Sequence, residues 1–509
     1  MSSLRSPRRV AIVGAGIAGL AAAWQIHRES PDIHVDIFEA TDRIGGKLLT
    51  IEGELSALDM GAEAFIARRQ DMLDLVEDLG LTDRLVYSSL TTSRMYVGGQ
   101  LRGFPPAGMM GIPVTPDGLE DYLTKETLAR ITCESNPSVT PPMQWSVGSD
   151  VSIGGLVRER YGDDVADRLV DSMLGGIYSA HADDVGLRAA LPGLAAQFDQ
   201  MAAAGEPVSV SGAIKQMLAA RTAPPAHGAP PKTASSGEGA SAPARKPTFA
   251  TLVGGFADIY EALAEQSGAD IYVDSFVTGI SGDSATGFTV DGVSAQDDQG
   301  NSVRHTYDRV IVATPAPTAA RLLRTVSPEA AGALANQHVA NSVVVSLRIQ
   351  LDDGVPVPEY SGALVATGEP DVHAKAFTLT SNKWPHLASK LPSGQVLVRC
   401  SFGYFGDDTY PKMDPEELTE LALEDFDTVF GIRGEIVEAY VQTWFGGLPV
   451  YGVGHNDLVA TVLEALPERL SVTGAWVDGV GVPAVITHAR RIASEAVAPG
   501  SVPLPADVK

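Results

Sequence analysis

The chain has 509 residues, enough at roughly 100 to 200 residues per domain for two to four domains and more than one apolar core. Hydrophobic residues make up 44% and charged residues 20%, a globular composition that excludes a wholly disordered or fibrous chain. Against 37 Lys and Arg stand 63 Asp and Glu, a net charge of −26. Such a surface repels nucleic-acid phosphates and anionic lipid, so any anionic ligand requires a basic pocket built locally. Two cysteines, Cys133 and Cys400, make no disulfide framework, and no CxxC or paired-His spacing offers a metal site. The expectation is a reducing cytoplasm, no metal and no nucleic-acid partner.

At the N-terminus Arg5, Arg8 and Arg9 precede an uncharged run over 10–26, which superficially resembles an export signal. Gly14, Gly16 and Gly19 interrupt the run, and the residues beyond it continue a strand-turn-helix-strand pattern. It reads as the start of a domain. No other segment approaches the ~20 apolar residues of a membrane span. The pattern predicts a strand over 9–13, a turn over 14–19, a helix over 20–28 and a strand over 35–39. A helix over 71–79 is expected from the spacing of Met72, Leu75, Val76 and Leu79. The stretch 87–215 mixes Pro-rich turns with amphipathic helices over 153–161 and 165–174, and reads as a mainly helical substrate or lid module. Residues 222–248 are almost wholly Ala, Pro, Gly, Ser and Thr, which cannot offset the entropy of ordering, and read as a flexible insertion. A helix over 257–266 and strands over 270–273, 278–281, 287–290 and 309–313 come next. Alternating strands over 341–351 and 395–402 suggest a substrate domain over 316–440. The chain closes with a strand over 470–474, a glycine-rich turn and a helix over 483–497.

Gly14-Ala15-Gly16-Ile17-Ala18-Gly19 follows a strand and opens a helix, and Glu39 ends the next strand 20 residues beyond Gly19. The first glycine makes the turn, the second lets the backbone approach a pyrophosphate and the third lets helix pack on strand. The helix N-terminus supplies unpaired N–H groups to the phosphates. A carboxylate at Glu39 holds ribose hydroxyls and repels a 2′-phosphate. In this full context the motif predicts dinucleotide binding. Glu39-Ala40, Arg43 and Gly45-Gly46-Lys47 extend it with a second glycine pair.

Together these motifs resemble the extended FAD fingerprint of the amine-oxidase-like flavoproteins. Met60-Gly61-Ala62-Glu63 resembles that family's second glycine contact near the flavin, and Val480-Gly481-Val482 its C-terminal flavin segment. Val277 resembles the backbone position at the adenine, and Trp444 a position against the flavin. The resemblance implies an α/β fold: a discontinuous Rossmann-type FAD-binding domain over 8–86, 249–315 and 441–498, with an inserted α+β substrate domain and the helical module. Within the superfamily the chain is similar to the bacterial protoporphyrinogen and coproporphyrinogen oxidases of haem biosynthesis. The residues carrying this are Gly61, Phe65, Arg68 and Arg69, Met110-Gly111-Ile112-Pro113, Leu174-Gly175-Gly176-Ile177-Tyr178-Ser179, Leu252 with Gly254-Gly255, and Asp478-Gly479 before Val480.

That resemblance implies FAD as cofactor, a porphyrinogen substrate oxidised by six electrons, and dioxygen reduced to hydrogen peroxide. A transient contact with the next haem-pathway enzyme belongs to the same expectation. No acid–base dyad or nucleophile stands out, as expected where flavin N5 carries the chemistry. A coproporphyrinogen carries four carboxylates, and Arg68 and Arg69 are the first candidates to bind them, with Arg94 and Arg102 next; Tyr178 and Met110 are candidates to pack on the ring. The acidic chain with paired arginines favours the tetracarboxylate over protoporphyrinogen. An amine oxidase or carotenoid desaturase on the same scaffold is an alternative. Retention of Glu39, Gly45, Gly46 and Val480 to Val482 argues against a non-catalytic relative that has lost flavin.

Overall fold

The computed structural model describes residues 8–106, 108–222, 246–292 and 305–498. The low-complexity insertion expected over 222–248 lies almost entirely outside them. Arg9–Val13 is a buried strand at the centre of a five-stranded parallel sheet, with His34–Phe38 and Asp270–Tyr272 on one side and Arg309–Val312 and Leu470–Val472 on the other. Arg9–Val13 and Arg309–Val312, in the interior of the sheet, read as buried runs rich in β-branched residues. The sheet therefore gathers strands from both ends and the middle of the chain.

The first helix is Ile17–Glu29, three residues longer at its start than expected, because Gly16 is extended and caps it directly. Every residue from Ile17 to Ile26 is buried, since this helix is sandwiched between the sheet and two others, Ala257–Gln266 and Val482–Val497. Alanines at 18, 21, 22 and 23 permit that close approach.

A second sheet has seven strands in the order Gly434–Pro449, Val339–Leu351, Gln395–Phe402, Ala376–Leu379, Gly362–Val365, Arg94–Val97 and Gln100–Arg102. It is antiparallel except where Gly362–Val365 meets Arg94–Val97. In Gln395–Phe402 the apolar residues Val396, Val398, Cys400 and Phe402 face the helix Pro415–Phe430 in a common core. Arg399 and Ser401 face the other way, into a cavity. Two expected boundaries change. The strand Gly434–Pro449 runs unbroken through 441, and Arg94 and Arg102 sit on strands of this sheet, because hydrogen-bonded pairing extends it into the segment read as helical.

The helical module is built from Lys125–Cys133, Ile153–Tyr161, Asp171–Tyr178, Pro192–Ala203, Val210–Thr222 and shorter pieces around one core. The helix expected over 165–174 is interrupted by a π turn, Ala166–Val170. Ser172 donates back to the carbonyls of Arg168 and Leu169 there, a kind of bond that often bends a helix.

Candidate active site

A single cavity of about 1470 Å³ runs from the glycine turn after the first strand to the second sheet and the helical module. Ligand pockets are commonly ~300–1,000 Å³; this one has room for more than one molecule. The glycine turn is a backbone cradle. Gly14 has φ +108, and a Cβ there would meet the Ala313 carbonyl oxygen at 2.8 Å. Gly46, at φ +60, lies against Gly16 so closely that its Cβ would be 2.8 Å from the Gly16 Cα. The neighbouring pair Gly16 and Gly45 is bridged through the hydrogen bond from Gly45 N–H to the Ala15 carbonyl (2.9 Å). Two distant glycine segments thus form one floor, which no side chain blocks. Glu39 is held beside it: its carboxylate accepts from the Ala15 N–H (2.9 Å) and from the Thr41 N–H and hydroxyl (both 2.9 Å).

Gly14, Gly16, Ile17, Ala18, Glu39, Ala40 and Lys47 line this part of the cavity, with Val277. Gly61, Ala62, Glu63, Trp444, Val480, Gly481 and Val482 line it further on. Gly481 is the N-cap of the last helix, Val482–Val497, so that helix begins at the cavity wall. Lys47 donates to the Gly446 carbonyl (2.8 Å), and burial pulls its amine down to about 8. Three expected contacts act from behind the wall. Ala15 is buried and orients Glu39, Gly19 packs the helix over Gly14, and the Met60 carbonyl accepts from the Trp444 indole N–H (2.8 Å).

Arg68 and Arg69 require correction, for neither lines the cavity. Arg68 is exposed. Arg69 caps the helix Gln70–Asp78 and is engaged by Asp71 (Nε to Oδ1 2.9 Å), which also accepts from Thr487 of the last helix (2.7 Å). The Asp71 carboxyl is held down at about 2 by that guanidinium. Arg102 is outside the lining too, near Asp121. Arg94 does line the cavity, over the Tyr360 ring at 4.5 Å, and its buried Nε has no hydrogen-bond partner among the described residues. Met110 is also absent from the lining, and Tyr178 packs against Tyr451.

Sequence reasoning missed Arg321, Lys375, Lys383 and Arg399. Arg43, Lys47, Arg94, Arg321, Lys375, Lys383 and Arg399 line the cavity against only two acids, Glu39 and Glu63. The wall is therefore cationic inside a protein of charge −26, the local basic pocket that anion binding demands. The two-residue alternation of 395–402 was a usable signal for Arg399. Lys383 donates to Glu63 (2.6 Å), and Arg399 stands 3.6 Å from the same carboxylate. Burial alone would raise the Glu63 carboxyl, but these two cations outweigh it and hold it below the usual range.

Beneath this triad Asp59 accepts from Thr50 (2.6 Å) and the Phe256 N–H (3.1 Å), yet burial raises its carboxyl from 3.8 to about 7. The folded state binds this proton more tightly than the unfolded chain does. Its contribution to stability is fully present at low pH and declines as pH rises between about 4 and 7. In Asp59→Asn that decline is expected to vanish. Urea unfolding of both proteins across this range checks it, and a wild-type-minus-variant difference independent of pH would refute it.

A strand-turn-helix cradle with an acidic residue after the second strand, joined to a second sheet and a helical cap by one cavity, is the Rossmann-type α/β architecture of nucleotide-binding proteins. The family model described as flavin containing amine oxidoreductase matches residues 17–497, and the chain belongs to that family. Coproporphyrinogen III oxidase of Mycobacterium tuberculosis (strain H37Rv) is 35% identical over 494 residues, covering 97% of this chain and 98% of its own. The protein of the same name from Bacillus subtilis (strain 168) is 28% identical, over 96% and 98%. A crystal structure from Exiguobacterium sp. 255-15, provisionally assigned as a protoporphyrinogen oxidase, has a TM-score of 0.76 at 25% identity and covers 96% of this chain and 98% of that one. The protein is thus a flavin-dependent oxidoreductase. Among the described residues no helix is long and apolar enough to cross a membrane.

Proposed function

We propose that this protein is an FAD-dependent oxidase that converts coproporphyrinogen III to coproporphyrin III in the cytoplasm, with dioxygen as the terminal oxidant and a transient handover to the next enzyme of the haem pathway. The observation that carries it is the continuity of one cavity from the glycine cradle to a roomy, cation-rich hall with exposed apolar walls such as Phe104, Ile177 and Phe445. The near full-length relatives named for that reaction support it. FAD, rather than a mononucleotide, suits Gly14 to Gly19 with Glu39 and Val277 at the adenosine end and Gly61 with Val480 to Val482 at the ring end. When bound, the flavin accepts hydride at N5. The protein's own tasks are to hold a flat macrocycle between apolar walls, to neutralise its carboxylates and to exclude competing chemistry.

The purified protein is expected to be yellow, to release FAD on denaturation, and to oxidise coproporphyrinogen III in air faster than protoporphyrinogen IX, read by porphyrin fluorescence and peroxide formation. A colourless protein, or turnover of amines instead, would overturn this reading.

Arg94 replaces Arg69 as the proposed carboxylate contact. A charge-assisted hydrogen bond contributes ~1.5–3 kcal/mol, so Arg94→Ala should raise KM for coproporphyrinogen at least about tenfold while kcat changes little. Arg69→Ala should leave KM within about twofold, since it would disturb only an exposed ion pair of ~0–1 kcal/mol. Steady-state kinetics on both variants decide between the two positions.

A further inference from the structure

Lys375 precedes the strand Ala376–Leu379 and stands on the cavity wall, only 5% exposed. Its Nζ donates to the Ser179 hydroxyl (2.6 Å) and to the Gly403 carbonyl (2.5 Å), and lies 5.2 Å from the centre of the Tyr404 ring. An ammonium offers three N–H donors, whereas an amine offers two and a lone pair. Two positions are taken, and the third is left for a proton or for a lone pair. Ser179 is itself pinned. It holds φ +50, uncommon for a non-glycine residue; its N–H donates to Gly175 (3.0 Å) and its carbonyl accepts from Phe405 (2.7 Å).

The ionisable groups around the amine are engaged elsewhere. Asp171 is bound to His181 (2.8 Å), whose ring stacks on Tyr404 at 4.3 Å. Asp425, on the helix behind, accepts from the backbone N–H groups of His373 (2.9 Å) and Ala374 (2.6 Å). Arg399 lies on the neighbouring strand, paired to Thr378, and Cys400 is next to it, paired to Phe377. Among the described residues no carboxylate is in ion-pair distance of Lys375.

Resting on the function proposed above, we propose that Lys375 is the proton acceptor of the oxidation, taking the proton that the porphyrinogen releases as each hydride departs. In the first round a C–H bond of a bridging methylene breaks, and its electron pair leaves with the hydrogen as hydride to oxidised flavin. The cation left behind is delocalised onto the adjacent pyrrole. The pyrrole N–H bond then breaks, its electron pair stays on nitrogen to give a neutral ring, and the proton forms a new N–H bond at the lysine lone pair. Two more rounds follow, so that three hydrides leave from three of the bridges, two of the three protons come from pyrrole N–H bonds, and the third comes from a C–H bond of the fourth bridge, whose electron pair joins the ring conjugation; dioxygen takes up the electrons at the end of each round. A cationic macrocycle is disfavoured among the six other basic side chains of the wall, so the proton must leave promptly, and the neutral amine of the buried Lys375 accepts it. Burial lowers the Lys375 amine to about 7, where a general base works best at neutral pH.

The test uses the flavin-loaded enzyme, with loading verified by the visible spectrum, and the variants Lys375→Met and Lys375→Arg. General-base catalysis is commonly worth ~100-fold or more. Both variants are therefore expected to lose about 100-fold in kcat, to keep KM within about threefold, and to lose the acidic limb that wild-type kcat shows near pH 7. Equilibrium binding of coproporphyrin should change by less than about threefold in either. Arginine cannot act as a base. An active Arg variant, or a loss confined to KM and coproporphyrin binding, makes Lys375 a carboxylate anchor and overturns the proposal alone. A flat wild-type profile between pH 6 and 8 overturns it without recourse to any variant. A wild type that oxidises neither porphyrinogen overturns the functional reading together with it.

Discussion

Gly46→Val is expected to fold but to purify without flavin and to lose at least about 100-fold in turnover. Gly46 has φ +60, a conformation that β-branched residues adopt only under strain. The added Cβ would also sit 2.8 Å from the Gly16 Cα, and that neighbour is backbone that cannot swing aside. The two glycine segments must then part, opening the cavity floor and taking Glu39 out of register through Ala15, which donates to Glu39 and accepts from Gly45. The absorbance of bound flavin relative to protein measures the loss directly, and circular dichroism checks that the fold persists. A yellow, active Gly46→Val protein would show that the close contact of Gly46 with Gly16 is dispensable.

Glu134→Ala is expected to destabilise the helical module by about 3–5 kcal/mol, the usual range when one partner of a buried ion pair is removed. Glu134 is fully buried and accepts from the Arg160 Nε (3.0 Å), the Val210 N–H (2.8 Å), and the N–H (2.9 Å) and hydroxyl of Ser211. It thereby ties the end of the helix Lys125–Cys133 to Ile153–Tyr161 and to the start of Val210–Thr222. Removal strands the guanidinium of Arg160, whose other bonds to the carbonyls of Pro141 and Glu134 do not neutralise it. Denaturant unfolding followed by tryptophan fluorescence reads the effect, Trp145 lying against Phe198 within the same module. A change under about 1 kcal/mol would mean the module repacks without this tie. The flavin spectrum should survive, because none of these groups lines the cavity.

Of the site, the backbone features were legible and much of the charge was not. Gly14, Gly16 and Gly19 between a strand and a helix, with Glu39 after the next strand, are short-range signals. The helices 153–161 and 257–266 and the strand 395–402 were likewise legible to the residue, each carrying its own periodicity. Arg69 was misplaced because its fate depends on Asp71 and on Thr487 from the far end of the chain. Lys383 and Arg399 reach Glu63 across more than 300 residues of sequence, and no local pattern announces such a pair.

By itself, then, the order of residues determined the glycine cradle, because a tight turn or a close backbone approach admits few residue types and leaves its mark wherever it occurs; the class of chemistry came with the family resemblance that these motifs carry. Only the tertiary structure decided which cations enter the cavity. A charged side chain has no preferred conformation that reveals its direction, and it is the long-range pairing of strands that turns Arg94, Lys375 and Arg399 inward and leaves Arg68 in water.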